Sequence, residues 1–368
     1  MINSERLLEQ FLEFVQIDSE SGHEQQMGER LVRALTELGL TVVTDSAGET
    51  FGSDGFNVFA RLPGTMPGEP LLLSAHMDTV VPGCGVKPVL RDGVICSDGT
   101  TILGGDDKSG ICGILEAIAT IRDKQLSHRS AEILFSIGEE GGMRGVKAFD
   151  FGLPESRKAY VFDSSGDVGK IISSAPGQIK LLATVIGRTA HAGLAPEEGI
   201  SAIQVAARGI AAMKLLRIDE ETTCNIGTIK AEYATNIVPD RVTLIAEVRS
   251  RSLDKLNAQA AHMREALQRA CDEAGATLEC ELVTNYVSYA VSPESETIDH
   301  LKKALDAIGI EPVIVAGGGG SDANIMQQKG IDAVVLGTGM SKVHTTAEYI
   351  TVENLNNTAR LALSLLTR

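Results

Sequence analysis

The chain has 368 residues, 43% of them hydrophobic and 22% charged, which is the composition of an ordinary soluble globular protein. That length exceeds what one hydrophobic core usually serves, so we expect two domains. The 33 basic and 49 acidic residues give a net charge of -16, which disfavours nucleic acid and anionic membranes as partners.

Targeting and membrane segments are not evident in the sequence. The first residues lack a basic stretch followed by an apolar core, and no later apolar run reaches the roughly 18 residues that a membrane span needs. The six cysteines are scattered without a C-x-x-C pair, which favours reduced thiols over disulfides or a thiolate zinc site. We therefore expect a cytoplasmic protein with no membrane partner.

The first part of the chain alternates between helical and strand-like patterns. Apolar residues at helical spacing predict two opening helices, and short apolar runs between Gly, Pro and Asp turns predict strands. The predicted helices cover 3–15, 24–38 and 108–121, and the predicted strands cover 41–43, 57–60, the run from Leu71, 131–137 and 159–163.

Polar residues follow these strands at the point where each one ends. The strand from Leu71 runs into S-A-H-M-D-T-V, which places His76 and Asp78 at its carboxyl end, where open α/β sheets bind ligands. Residues two apart on an extended chain point to the same side, so Asp78 can reach whatever His76 holds. A carboxylate beside a metal-bound imidazole is a common arrangement, and the pair therefore indicates a metal site.

The middle of the chain has the character of a separate domain. Strand and helix patterns in the order βαββαβ predict a ferredoxin-like layer of one sheet and two helices. We assign residues 177–289 to this inserted domain, and residues 1–176 and 290–368 to a doubly wound α/β domain with a mixed sheet. The inserted elements are predicted at 179–186, 200–216, 224–230, 242–249, 253–274 and 277–283, and those after it at 297–308, 312–315, 333–336 and 352–366.

Six imidazole and carboxylate groups are expected at strand ends of the α/β domain. Such groups suit Zn, Mn or Co, and a carboxylate able to bridge two ions is what a dinuclear hydrolytic site requires. Each also has an ordinary structural explanation, such as a helix cap or a solvated turn, but all of them at the strand ends of one sheet are not explained that way. The six are His76, Asp106, Glu139, Glu140, Asp163 and His344.

Seven segments carry a resemblance to a known family. They are S-A-H-M-D-T-V, G-G-D-D-K-S-G, G-E-E-G-G, Y-V-F-D, G-R-T-A-H-A-G, N-I-V-P-D-R and V-H-T-T-A-E. In this order, and over nearly the whole chain, they resemble the dinuclear zinc peptidase family that includes carboxypeptidase G, aminoacylase and peptidase T. The sequence is most similar to the peptidase T branch.

The resemblance implies a set of metal ligands in the α/β domain. One divalent metal ion would be held by His76 and Asp163, and a second by Glu140 and His344, with Asp106 bridging both. Zinc is the expected metal, with cobalt or manganese as alternatives.

Two further roles, and one backbone feature, come from the same resemblance. Asp78 would orient His76, and Glu139 would be the general base that takes a proton from the attacking water and passes it to the leaving amine. The peptide bond between Asp106 and Asp107 would be cis.

The inserted domain resembles the lid and dimerisation domain of that family, which implies a homodimer. His191 would reach the oxyanion of the scissile carbonyl, and Asn236 would contact the substrate. Arg249 would pair with a terminal carboxylate of the substrate, although Arg251, two residues on, is an alternative. The list of expected substrate-binding residues is completed by Gly319 and Ser321 of the glycine-rich loop at 317–324.

The resemblance implies an aminopeptidase that acts on short peptides and removes the N-terminal residue of tripeptides. A dipeptidase or an N-acyl-amino-acid amidohydrolase would use the same chemistry and is the alternative. A non-catalytic metal-binding or interaction protein on this scaffold is the alternative of another class. Because Glu139, the ligands and His191 are all present, catalysis is favoured.

Overall fold

The computed structural model describes residues 1–368 and separates them into two units. Unit 1 consists of Met1–Ser174, Ala290–Gly317 and Ser321–Arg368. Unit 2 consists of Ala175–Tyr289 and Gly318–Gly320. None of the helices combines the length and the apolar composition that crossing a membrane requires.

The strands and helices are numbered in chain order. The strands are β1 (Thr41–Thr44), β2 (Val58–Leu62), β3 (Leu71–His76), β4 (Val89–Arg91), β5 (Val94–Cys96), β6 (Ala131–Ser136), β7 (Lys158–Ser164), β8 (Lys170–Ala175), β9 (Gly177–Ile186), β10 (Leu216–Arg217), β11 (Thr222–Lys230), β12 (Arg241–Ser250), β13 (Thr277–Tyr286), β14 (Tyr289–Ala290), β15 (Val313–Ala316), β16 (Asp332–Gly337) and β17 (Tyr349–Thr351). The helices are α1 (Ser4–Val15), α2 (Gln25–Glu37), α3 (Gly105–Lys124), α4 (Arg144–Ala148), α5 (Ala202–Ala211), α6 (Leu253–Ala274), α7 (Glu296–Asp306), α8 (Asp322–Gln328) and α9 (Val352–Leu366).

A large mixed sheet is the framework of unit 1. Its strand order is β1-β2-β6-β3-β7-β16-β8-β14, with β15 paired to β8. The central strands β6, β3, β7 and β16 are parallel, whereas β2 and β8 run antiparallel to their neighbours in this group. Every residue of β3 is buried, which explains its continuous Leu71-Leu72-Leu73 run, because central parallel strands are covered on both faces. The predicted α/β fold with a mixed sheet is confirmed.

Helix α3 connects the sheet of unit 1 to its helical layer. It packs against α1 and α9 and lies over β3 and β7. Ile111, Leu115 and Ile118 are fully buried, as their spacing on one face predicts. The helix begins at Gly105, the second residue of the glycine pair, so the packing of this helix fixes where Asp106 and Asp107 sit.

Unit 2 has the βαββαβ order that the sequence predicts, with one added strand. Its five-stranded antiparallel sheet has the order β10-β11-β12-β9-β13. Helices α5 and α6 pack on it through a core that includes Leu181, Leu244, Val205 and Met263. Without β10, this strand order is that of a ferredoxin-like domain.

One predicted helix is wrong in its extent, and some strands, β8 among them, were not predicted. The helix predicted over 200–216 ends at Ala211, because the chain turns there and Leu216 instead pairs with Cys224 as the start of the edge strand β10. The sequence also gave no indication of a small antiparallel sheet of unit 1 with the order β17-β5-β4. Its strands have three residues each, too few for alternation to be recognised.

Candidate active site

The carboxyl ends of the central parallel strands meet at one edge of the unit 1 sheet. His76 is the last residue of β3 and is paired with Ser136, the last residue of β6. Asp163 is near the end of β7, where Ser164 is paired with Gly337 of β16. Because all four strands run in the same direction, the side chains at their ends and in the following loops come together.

Asp106 lies between two imidazoles. Its Oδ1 is 3.1 Å from Nε2 of His76, and its Oδ2 is 3.3 Å from Nε2 of His344. Only 9% of the Asp106 side chain is exposed, against 51% for His344. The peptide bond from Asp106 to Asp107 is cis. One carboxylate thus faces a different imidazole with each oxygen, which is the arrangement of a bridging ligand.

Each imidazole also faces a second carboxylate. Nε2 of His76 is 3.7 Å from Oδ1 of Asp163, and Nε2 of His344 is 2.8 Å from Oε1 of Glu140. The structure therefore brings all five predicted ligands together, as two histidine–carboxylate pairs that share Asp106. Nitrogen and oxygen donors in this number and proximity fit two divalent cations of the Zn, Co or Mn type.

Asp78 contacts both His76 and the loop that carries the glutamate pair. Nδ1 of His76 is 2.9 Å from the backbone oxygen of Asp78 and 3.4 Å from its Oδ1. The carboxylate accepts hydrogen bonds from the amides of Glu139 (2.9 Å) and Glu140 (3.1 Å), and from the hydroxyl of Ser21 (2.5 Å). With Nδ1 facing acceptors, a neutral His76 carries its proton there and presents the lone pair of Nε2 to the cluster.

Asp107 lies near His76 and Asp163, but its carboxylate is engaged by the backbone. A ring nitrogen of His76 and one carboxylate oxygen each of Asp107 and Asp163 lie within 4.8 Å of one another. However, the Asp107 oxygens accept hydrogen bonds from the amides of His76 (3.3 Å) and Gly110 (3.2 Å). We therefore assign Asp107 to holding the backbone of β3 and α3 together rather than to the ligand set.

The protein groups of this cluster strongly perturb one another. Burial, with the charge of Asp163 adding to it, raises the pKa of Glu139 well above its ordinary value, and burial raises the pKa of Asp163 to about 6. Burial also opposes ionisation of Asp106, but its hydrogen bonds with His344 and His76 bring its pKa below the ordinary value. The hydrogen bonds that His344 donates to the carboxylates of Asp106 and Glu140 raise the pKa of His344 to about 10. The cluster thus concentrates negative charge, which is the electrostatic condition for holding cations.

His191 and Asn236 lie on neighbouring loops of unit 2. The amide of Ala192 donates to the backbone oxygen of Asn236 at 2.9 Å, which joins the two loops. His191 is exposed, and its Nδ1 accepts a hydrogen bond from the amide of Gly193 at 3.2 Å. A neutral His191 in this arrangement carries its proton on Nε2.

Arg249 is held by an ion pair within unit 2. Its Nε and Nη2 donate to the two carboxylate oxygens of Glu247, at 2.9 and 3.2 Å, and Glu247 also accepts from Gln178 at 2.5 Å. A Cβ added at Gly319 would lie 3.9 Å from Nη1 of Arg249, so the glycine-rich loop passes beside the guanidinium. Arg251 follows the end of β12, and its Nη2 lies 3.4 Å from the backbone oxygen of Glu220.

The start of α8 places Ser321 and an unpredicted aspartate in unit 1. Ser321 precedes the helix, and its amide donates to Oδ1 of Asn324 at 3.0 Å. Asp322 is buried and accepts a hydrogen bond from the hydroxyl of Ser136. Burial raises the pKa of Asp322 to about 7.

Two buried glutamates that support the ligand loops were missed at the level of sequence. Glu24 accepts hydrogen bonds from the amides of Gly22 (2.9 Å) and Gly138 (3.1 Å), the latter next to Glu139. Glu348 accepts from three amides of the segment that leads to Asp106. No local pattern marks Glu24, whereas Glu348 lies in the V-H-T-T-A-E segment, which was the available signal.

Known proteins are similar to this chain over most or all of its length. A model of the peptidase family M20/M25/M40 matches residues 72–368. The uncharacterised protein YqjE of Bacillus subtilis is 41% identical, and the alignment spans 100% of this chain and 99% of that protein. The solved structure of the aminopeptidase PepT from Bacillus cereus is 42% identical with a TM-score of 0.91, and that of a tripeptidase from Staphylococcus aureus is 38% identical with a TM-score of 0.96. Both alignments span 100% of this chain and 98% of the chain in the solved structure.

Proposed function

Because the chain belongs to the peptidase family M20/M25/M40, we propose that it is a metal-dependent aminopeptidase that removes the N-terminal residue of short peptides, tripeptides in particular. The position of Asp106 carries this proposal, since each of its oxygens faces one imidazole. The likeness to an aminopeptidase and to a tripeptidase over the full chain supports the substrate class.

Five side chains of unit 1 would hold the metal ions. His76 and Asp163 would bind one, Glu140 and His344 a second, and Asp106 both. Zinc suits this donor set best, and cobalt or manganese is also compatible with it. When bound, two such ions polarise the scissile carbonyl and make water a nucleophile at neutral pH.

Glu139 is the group that we propose to move the proton. It would accept a proton from the attacking water and return it to the leaving amine. Asp78 supports this role twice, because its carboxylate binds the amide of Glu139 and also lies 3.4 Å from Nδ1 of His76. The raised pKa of Glu139 is in keeping with a group that must hold a proton between two steps.

Unit 2 would act as the lid and dimerisation domain of the protein. The hydrogen bond that Nδ1 of His191 accepts from Gly193 leaves Nε2–H free to donate to the oxyanion that forms from the scissile carbonyl. Asn236, on the loop joined to that of His191, would contact the substrate. A homodimer and a cytoplasmic location are part of the same proposal, and light scattering and cell fractionation test them.

A terminal carboxylate of the peptide is the proposed partner of Arg249. Glu247 fixes the plane of the guanidinium by a two-point contact, and the glycine-rich loop passes beside Nη1. Gly319 and Ser321 of the glycine-rich loop are the further residues that we propose to contact the substrate. We favour Arg249 over Arg251 because Arg251 lies beyond the end of β12.

A panel of substrates tests the proposed activity. The metal-loaded protein is incubated with a tripeptide, its N-acetylated form, its C-terminal amide, a dipeptide and an N-acetyl amino acid. Cleavage of the free tripeptide alone, with release of its first residue, is the expected result, since a site that recognises both ends of the peptide rejects the blocked forms.

The other outcomes of the panel point to the alternatives. Preference for the dipeptide or for the N-acetyl amino acid would replace the proposed substrate by that of a dipeptidase or an amidohydrolase. No cleavage in a protein shown to contain two metal ions would overturn the proposal in favour of a non-catalytic protein.

A further inference from the structure

Glu348 connects two loops of the candidate active site that are far apart in sequence. It is buried, with 1% of its surface exposed, four residues after His344. Oε2 accepts hydrogen bonds from the amides of Leu103 (2.8 Å) and Gly104 (2.9 Å), and Oε1 accepts one from the amide of Asp106 (3.0 Å). A single carboxylate thus holds the backbone that delivers Asp106 against the loop that delivers His344.

The backbone at this point departs from helical geometry. Gly104 has a φ of 75°, and Asp106 and Asp107 have non-helical backbone angles, so the segment does not follow the helix that it opens. The first amides of a helix have no partner within it and need an acceptor from elsewhere. Glu348 is that acceptor, and its charge strengthens all three hydrogen bonds.

A carboxylate is required here because both of its oxygens accept hydrogen bonds from backbone amides. A glutamine has only one acceptor oxygen, so its amide group would face either the amide of Asp106 or those of Leu103 and Gly104, donor against donor. A Cβ at Gly105 would lie 3.1 Å from Oε1, which shows how closely the segment is wrapped around the carboxylate. Neutral replacements of Glu348 therefore release the segment on at least one side.

We propose that Glu348 is a positioning residue that holds the carboxylate of Asp106 between His76 and His344. The inference rests on the proposed function only in that the cluster binds divalent metal ions. Release of the segment would tilt Asp106 away from one or both imidazoles. Because ligands and their supporting groups act together, we expect metal affinity to fall about 10–100-fold when the support is removed.

The test compares Glu348→Gln with Glu132→Gln. Glu132 is a matched control, because it is 2% exposed and accepts hydrogen bonds from the amides of Glu155 (3.0 Å) and Ser156 (2.9 Å). It lies near the start of β6, at the opposite end of the strand from the cluster. Metal-free protein is titrated with Co²⁺, whose absorption spectrum reports ligand geometry, and unfolding in urea is measured without metal.

Both variants are expected to lose stability, but only Glu348→Gln should bind Co²⁺ about 10–100-fold more weakly and show an altered cobalt spectrum. In the loaded enzyme, kcat should fall more than KM rises, since Glu348 contacts no proposed substrate residue. If Glu348→Gln does not fold, Glu348→Asp, which keeps the charge with a shorter reach, is measured in its place.

Two results would overturn the proposal. One is a cobalt affinity and spectrum of the Glu348 variant equal to those of the wild type, and the other is an equal loss of affinity in Glu132→Gln. The inference and the proposed function fail separately. A wild-type protein that binds Co²⁺ but cleaves no peptide removes the peptidase activity, and the affinity comparison still decides the role of Glu348.

Discussion

The buried carboxylates of unit 1 differ in what their oxygens face. Asp106 directs both oxygens at imidazoles, whereas Asp78, Asp107 and Glu348 direct theirs largely at backbone amides. Glu139 is joined to this second group through its amide, and its own carboxyl has a raised pKa. At the scale of the residue, therefore, binding of cations and support of the backbone are divided between different acids.

The adjacent glutamates should respond differently to the same substitution. Glu139→Gln is expected to lower kcat by about 10²–10⁴-fold, because the proton acceptor is lost, while the protein still binds two metal ions. Glu140→Gln, which removes a proposed ligand, should instead lower the metal content at limiting metal concentration. Steady-state kinetics and metal analysis of both variants provide the check, and normal turnover in Glu139→Gln would contradict the assigned role.

His300 should make the protein less stable in mild acid. Burial, together with the charges of Arg129 and Lys158, lowers its pKa to about 4, and its Nδ1 is 2.8 Å from the hydroxyl of Tyr160. The unfolded chain then binds more protons between about pH 6.5 and pH 4, so stability falls as the pH falls through this range.

Because His300 is partly exposed, we expect the free energy of unfolding to change by only about 1–2 kcal/mol over this range. Urea unfolding at pH 6.5 and 4.5 measures it, and the difference between the two pH values should be smaller in His300→Gln than in the wild type. An equal difference in both proteins would show that His300 does not contribute.

Spacing in the sequence predicted the residues that share a strand end, because an apolar run fixes where a strand stops. His76, Asp163 and the Glu139-Glu140 pair were identified in this way. The amide acceptors Glu24 and Glu348 were not, since their partners are chosen by the tertiary fold. The hydrogen bonds of Glu348 join residues 242 to 245 positions apart, a distance over which no local pattern carries information.

At the scale of elements, the approach of α3 to β7 sets the geometry around Asp106. A Cβ added at Gly110 would lie 2.5 Å from the backbone oxygen of Phe162 and 2.6 Å from Oδ1 of Asp107. The Phe162 oxygen belongs to the backbone and cannot move without moving the strand that carries Asp163, and the Asp107 oxygen accepts a hydrogen bond from the amide of Gly110 itself. The glycine is therefore needed for the close contact between the helix and the strand.

Gly110→Ala should destabilise the protein although alanine favours helices. The overpacking is expected to cost about 1–3 kcal/mol, against about 1 kcal/mol gained from helix propensity. Urea unfolding of the metal-free protein measures the balance, and circular dichroism shows whether the fold is kept. A variant more stable than the wild type would mean that the helix can shift without cost.

Long elements were predicted more reliably than short ones. The helices Leu253–Ala274 and Val352–Leu366 match their predicted bounds, because several turns of one apolar face give a clear period. The three-residue strands β4, β5 and β17 do not span enough residues to show a period. The pairing of β17 with β5 joins segments more than 250 residues apart, such as Tyr349 with Cys96.

For the molecule as a whole, the net charge of -16 and the acidic cluster both favour the binding of cations. Buried carboxylates close to one another repel, and cations that bind only the folded cluster relieve this repulsion. Binding therefore stabilises the folded protein by mass action, by about 2.7 kcal/mol for each site at a free metal concentration one hundred times its Kd. All the proposed ligands belong to unit 1, so the effect should be confined to it.

Removal of metal by a chelator is therefore expected to lower the stability of unit 1 and to leave unit 2 unchanged. Hydrogen exchange followed by mass spectrometry, with and without metal, distinguishes the two. Peptides that cover 103–110, 137–143 and 338–348 should exchange faster without metal, because their ligands and the amide hydrogen bonds behind them are released. Peptides from β9 and β12 are the internal control, and return of zinc should restore protection. Equal acceleration in both units, or none in either, would contradict a metal site built from unit 1 alone.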